Sequence, residues 1–439
     1  MSMSPTLPQR RRRTFIQSAL AVAALGTTLT TTLLAPGAAQ AQAAAGKPIT
    51  VGLPIAQSGP AGVADHADYL KGAQLAVKEI NAAGGVKGRP IELKVVDIDI
   101  MTPEGTQAAM RKLVDAKVQA IASPFTIIPI PAMEAVANYK APYLHGNTSI
   151  ASLDHVRKNP KKFAHVYQID PAETYYGAGF PIFLEQLQAS GAWKPVNNKV
   201  HIITEQLAYT QVITRSAEET FRKRGKYEVV KVTQIQFPVQ DWGPVLQDIR
   251  RTGAGVLMVN HWVAAELAAF ARQFAANPLP GALVYLQYGP SQPEFLTLAG
   301  PAAEGFVWGT VYGVYADKQG QAFRDKYKAE YLAKGGVMGM VYTGGGYDTI
   351  QILAKAWAQA EPEKFDAVND ALHKLSYRGV AGFYRFDNAN QAPLHYPLET
   401  AKLDEGIAHL FFQVQGGAHR IIAPDALKEV GFKAAPWMK

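Results

Sequence analysis

Cysteine is absent from all 439 residues. That excludes disulfides, thiolate metal sites, a cysteine nucleophile and a lipid-modified N-terminus. Charge is sparse, with Asp, Glu, Lys and Arg at 18%. The net charge of +8 includes Arg10 to Arg13, which lie in the first 41 residues without any acid, so the remainder carries only +4. With no dense Lys/Arg tract either, nothing here calls for a nucleic-acid partner. After the first 43 residues there is no uninterrupted apolar run of about 18, and no transmembrane helix is expected there.

The signatures of catalysis and nucleotide binding are missing too. The chain has no G-x-G-x-x-G after a strand, no G-x-x-x-x-G-K-[ST], no H-E-x-x-H and no G-x-S-x-G. Gly344-Gly345-Gly346 precedes a helical pattern, but no strand leads into it; close packing of a helix start explains it best. The ten histidines are scattered, without metal-ligand spacing. His145 and His261 follow predicted strands and are candidates for hydrogen bonding to a bound molecule. As a metal pair they lack a third ligand. No catalytic residue, metal or cofactor is expected, and the chain does not read as an enzyme.

What is present begins with a targeting segment over 1–43. Arg10–Arg13 precede an apolar stretch, and Ala39-Gln40-Ala41 and Ala41-Gln42-Ala43 both fit a cleavage site. Arg12-Arg13-Thr14-Phe15-Ile16 is similar to a twin-arginine export signal. The expected location is the periplasm of a Gram-negative type of cell, with no membrane anchor after cleavage.

The rest alternates between strand and helix patterns, and 48% hydrophobic residues suffice for two cores. Residues 49–55 read as a buried strand and 91–96 as its return, with a helix from Asp68 and a stop at Gly84-Gly85 between them. The loop 56–67 faces a crevice in such sheets. Further strands are expected at 118–122, 142–145, 164–169, 199–204, 229–235, 255–260, 283–288 and 305–311. Residues 146–152 read as a polar loop. A second series starts near 155–170, so two lobes with a cleft are expected. The proposed division is 44–165 with 289–375, and 166–288 with 376–439.

Residues 49–153 resemble the leucine/isoleucine/valine-binding receptors of ABC transporters, type I periplasmic solute-binding proteins. The resemblance rests on Lys71-Gly72-Ala73 and on Ile80-Asn81-Ala82-Ala83-Gly84-Gly85-Val86-Lys87-Gly88-Arg89-Pro90, continued by Asp97, Asp99, Lys112-Leu113-Val114 and Val118. It implies an α/β fold of two lobes, each a mainly parallel sheet flanked by helices, joined by three crossover segments. It also implies closure on a small molecule and a membrane permease as partner.

The resemblance places a ligand's anionic group at the loops after the third and fourth strands, matching Ser123, Thr126, Asn147 and Ser149. Helix starts and hydroxyls suit such a group. In the second lobe it places aromatic walls at Tyr209, at His261-Trp262 and at Tyr288. The first loop departs from the pattern, with Asp65 and His66 where an aromatic is usual. The loop Gln287-Tyr288-Gly289-Pro290-Ser291 lacks the carboxylate that meets an amino acid's ammonium. Asp170 and Glu266 are substitutes to consider. The expected ligand is therefore a small carboxylate or amide, aromatic in one version, rather than leucine. An amino-acid receptor with an atypical ammonium partner and a ligand sensor for a signalling partner are the alternatives.

Overall fold

The computed structural model describes residues 45–59 and 61–438. The export-signal reading of 1–43 lies outside them. Apolar runs form the strands of a first parallel sheet: β1 (Ile49–Ile55), β2 (Ile91–Asp97), β3 (Ala120–Ser123), β4 (Tyr143–His145) and β5 (Val166–Gln168), in the order β2-β1-β3-β4-β5. The helices of this half are α1 (Val63–Ala82), α2 (Pro103–Asp115), α3 (Pro129–Val136) and α4 (Ile150–Lys158). Thr102 caps α2, its hydroxyl accepting from the Gly105 amide.

The chain then crosses to a second sheet through α5 (Thr174–Ala189). There follow β6 (Lys199–Glu205), α6 (Ala208–Arg224), β7 (Glu228–Ile235), α7 (Gly243–Thr252), β8 (Val256–Asn260), α8 (Ala264–Ala276), β9 (Leu283–Gln287), α9 (Glu294–Ala299) and β10 (Val307–Thr310). From β10 the chain returns to the first half as α10 (Lys318–Tyr331), α11 (Tyr342–Gln359) and α12 (Phe365–Lys374). Short strands β11 (Ser376–Arg378), β12 (Phe383–Arg385), β13 (Leu394–Tyr396) and β14 (Gly406–Ala408) lead back. β15 (Leu410–Gln415) and β16 (Ala418–Ala423) then close the second sheet, in the order β16-β15-β10-β9-β8-β6-β7. The sheet is parallel from β7 to β10 and antiparallel at β15 and β16.

The Gly-rich start of α11 is a packing device. A Cβ on Gly346 would lie 2.0 Å from the Tyr69 carbonyl oxygen, and one on Gly72 1.9 Å from that of Thr343. Glycine at both positions lets α11 and α1 approach backbone to backbone.

Several local expectations change. α1 starts at Val63 rather than Asp68, so the crevice loop is shorter; Asp65 and His66 are buried in its first turn. The segment read as a polar loop over 146–152 runs into α4, capped by Ser149. The strand at 164–169, read as opening the second series, pairs with β4 in the first sheet. The strand at 305–311 pairs with β9 in the second. Among the described residues, no helix is long and apolar enough to cross a membrane.

Candidate functional site

Parallel strands direct their carboxyl ends, and the loops that follow, to one edge. Here the loops after β3, β4 and β5 meet those after β6, β8 and β9 around a cavity of about 200 Å³. One wall carries Phe125, Thr126, Asn147, Thr148, Ser149 and Glu173, and the other Leu207, Tyr209, Val212, Trp262 and Tyr288; Tyr342, from the start of α11, completes it.

On the first wall the polar groups hold one another. The Asn147 Oδ1 accepts from the Thr126 amide at 2.9 Å, which fixes the orientation of the side-chain amide. The Asn147 Nδ2 and Thr126 Oγ1 are buried without a partner. Thr148, whose φ is 49°, gives its amide and hydroxyl to Asp170. The Ser149 hydroxyl caps α4 by accepting from the Ser152 amide at 3.3 Å. The start of α4, a natural seat for an anion, is met by the protein's own carboxylate: Glu173 Oε2 accepts from the Ile150 amide at 2.6 Å. Burial pushes the Glu173 carboxyl up to about 7.

The second wall is aromatic. The Trp262 ring stacks on Phe237 at 5.9 Å and meets Phe125 edge-on at 6.2 Å. Its Nε1 is buried without a partner. The Tyr209 hydroxyl accepts from the Gln287 Nε2 at 2.9 Å, and that of Tyr288 donates to Asp65 at 2.6 Å.

Of the candidate residues, Thr126, Asn147, Ser149, Tyr209, Trp262 and Tyr288 line one cavity. Ser123, His145, His66 and His261 do not. Ser123 and His145 are paired on β3 and β4 and wholly buried. Burial holds the His145 ring down to about 3, so it stays neutral. His66 faces inward, where its Nδ1 accepts from the Ala56 amide at 2.9 Å.

His261 sits between Glu205 at 2.7 Å and Glu266 at 3.0 Å. Burial opposes its charge, but the two carboxylates prevail and raise it to about 9. Glu266 is thereby committed to His261 and to the Val239 amide. Neither Glu266 nor Asp170 lines the cavity. The carboxylate that does is Glu173, which the sequence reading passed over because it lies five residues after a strand whose sheet was misassigned. Phe125, Leu207, Val212 and Tyr342 were likewise missed. Among the described residues, no group of three or more His, Cys, Asp or Glu side chains is placed to hold a metal ion.

Two sheets meeting at their carboxyl edges around a lined cleft form a place for a small molecule. The periplasmic binding protein family matches residues 48–406, and the chain belongs to that family. A protein from Silicibacter pomeroyi, assigned to a branched-chain amino acid ABC transporter, is 31% identical, with 89% of this chain and 100% of that one covered and a TM-score of 0.81. Two more distant structures share the fold. One is a solute-binding protein of an ABC transporter from R. palustris in complex with benzoate, 20% identical, with 88% and 99% covered and a TM-score of 0.68. The other is LivJ from Streptococcus pneumoniae with isoleucine, 20% identical, with 86% and 100% covered and a TM-score of 0.67. No curated protein matches the chain. The family is one of periplasmic binding proteins, not of enzymes.

Proposed function

We propose that this protein is the extracytoplasmic receptor of an ABC importer and captures a small carboxylate or amide with a planar or aromatic body. The first lobe is built on the β1–β5 sheet with α10 to α12, the second on the β6–β10, β15 and β16 sheet. The open receptor binds solute on the first lobe, and the second closes over it, shifting an existing equilibrium. A membrane permease then recognises the closed form. The arginine-rich leader exports the chain to the periplasm.

One observation carries the ligand class. Three side chains of the cavity lining have buried donors without a partner: Thr126 Oγ1, Asn147 Nδ2 and Trp262 Nε1. Buried donors want acceptors, so a carboxylate or an amide carbonyl suits them. The aromatic rings around them suit a flat body. The benzoate complex of a relative of the same fold fits this chemistry.

Glu173 favours a second reading. A carboxylate on the cavity lining is a partner for an ammonium, so an amino acid would place its ammonium there. Calorimetric titration separates the two. Benzoate or benzamide should bind, and leucine, isoleucine and valine should not. Micromolar affinity for isoleucine, abolished by Glu173→Gln, would establish the amino-acid reading instead.

A further inference from the structure

Asp65 lies in the first turn of α1, on the first sheet's side, and does not line the cavity. Its carboxylate nevertheless holds the second side. The Tyr288 hydroxyl donates to its Oδ1 at 2.6 Å and the Gln292 Nε2 to its Oδ2 at 2.7 Å. Gln292 passes the contact on: its Nε2 also donates to the Trp262 carbonyl at 3.2 Å, and its Oε1 accepts from the Ala264 amide at 3.0 Å. One carboxylate therefore ties α1 to two aromatic walls, Tyr288 and Trp262.

Tyr288 needs such a tie. Its φ of 59° and ψ of −54° are those of a strained γ-turn. A side chain in that conformation persists only where its surroundings over-determine it. Asp65, Tyr288 and Gln292 are all buried, at 3%, 6% and 5% exposure, so water does not compete for these bonds. A backbone bond from the Met340 amide to the Ser291 carbonyl, at 3.1 Å, runs alongside.

We propose that Asp65 is a positioning residue: through Tyr288 and Gln292 it latches the second lobe's aromatic walls to the first lobe and so sets both the shape of the cavity and the closed population. The latch is made without ligand, and it rests on the lobe-closure reading above. A receptor whose competent form is already populated binds more tightly in proportion to that population.

The test uses the absence of native cysteine. Lys112→Cys on α2 and Lys223→Cys on α6, both at exposed positions, accept nitroxide labels for a pulsed electron-resonance distance measurement. The ligand-free protein should show a short-distance component. Asp65→Ala or Tyr288→Phe should reduce it about tenfold, and the double variant by less than the two losses combined, because both lose the Tyr288–Asp65 bond. A short component that both variants retain would overturn the latch and leave lobe closure standing. A single long distance, unchanged by saturating benzoate or isoleucine, would overturn closure and the latch with it.

Discussion

Thr126, Asn147 and Trp262 each keep a buried hydrogen to give. Thr126→Val removes the hydroxyl and keeps the volume. Trp262→Phe removes the indole N–H and keeps an aromatic wall. A hydrogen bond to a charged acceptor is worth about 1.5–3 kcal/mol, so each variant should weaken benzoate binding about tenfold or more, with thermal unfolding near the wild type for Thr126→Val and somewhat lowered for Trp262→Phe, which loses packing. Calorimetry beside a melting curve reads both, and unchanged affinity in both variants would remove these donors from the site. Asn147→Ala should do more, because it also strips the acceptor that holds the Thr126 amide. At this scale the family resemblance was informative: the positions it matched at Thr126, Asn147 and Trp262 all line the cavity. It was uninformative for His66, His145 and His261. A histidine after a strand looks the same whether it faces a ligand or, like His261, two carboxylates of its own chain.

Between elements, the contact of α1 with α11 is the most exacting. Gly346 and Gly72 stand where any Cβ would lie 2.0 Å and 1.9 Å from a carbonyl oxygen, far inside van der Waals contact. Backbone atoms cannot rotate aside, so the helices would have to separate. Overpacking of this kind costs about 1–3 kcal/mol or more. Gly346→Ala should therefore lower the urea midpoint clearly. Gly417→Ala, in an open turn with φ of 72°, meets no neighbour and should lose only the smaller strain of its backbone. Equal losses would refute the packing account. The triple glycine was legible as a packed helix start, since no strand led into it. α4 was not legible: Ile150–Lys158 carries polar and basic residues on most faces, and only Leu153 and Val156 of its apolar residues are buried with Ser152. The start of α1 escaped for the opposite reason. Asp65 and His66 look like loop residues, and only the bonds they make inside the protein explain their burial.

Over the whole molecule, the alternation of apolar runs made two α/β halves legible, because each strand is written locally. Membership of a sheet is not. β5 is three residues long and buried, and nothing within it chooses between β4 and a later strand. Nor could sequence bring Tyr342 to the cavity, where its hydroxyl reaches the Gly146 carbonyl 196 residues earlier. The same long-range assembly buries titratable groups in both halves, and this gives the fold a pH dependence. Burial pushes Asp170 up to about 8, against hydrogen bonds from Thr148 that pull it down. His261 is raised to about 9 by Glu205 and Glu266 in spite of burial. Both groups hold a proton more firmly folded than unfolded, so the stability each contributes is complete below its unfolded pKa and is lost as pH rises through the folded one. His66, His145, His409 and His419, held down to about 3 by burial, are neutral in both states above their ordinary value of 6.5 and add nothing there. Between pH 6.5 and about 8, then, the Asp170 and His261 contributions fall together, and His261 alone falls on to about 9. The melting temperature should decline across that interval, and Asp170→Asn, which carries no charge at either end, should flatten the decline. A melting temperature that rises from pH 6.5 to 9 would show that these two groups do not govern it.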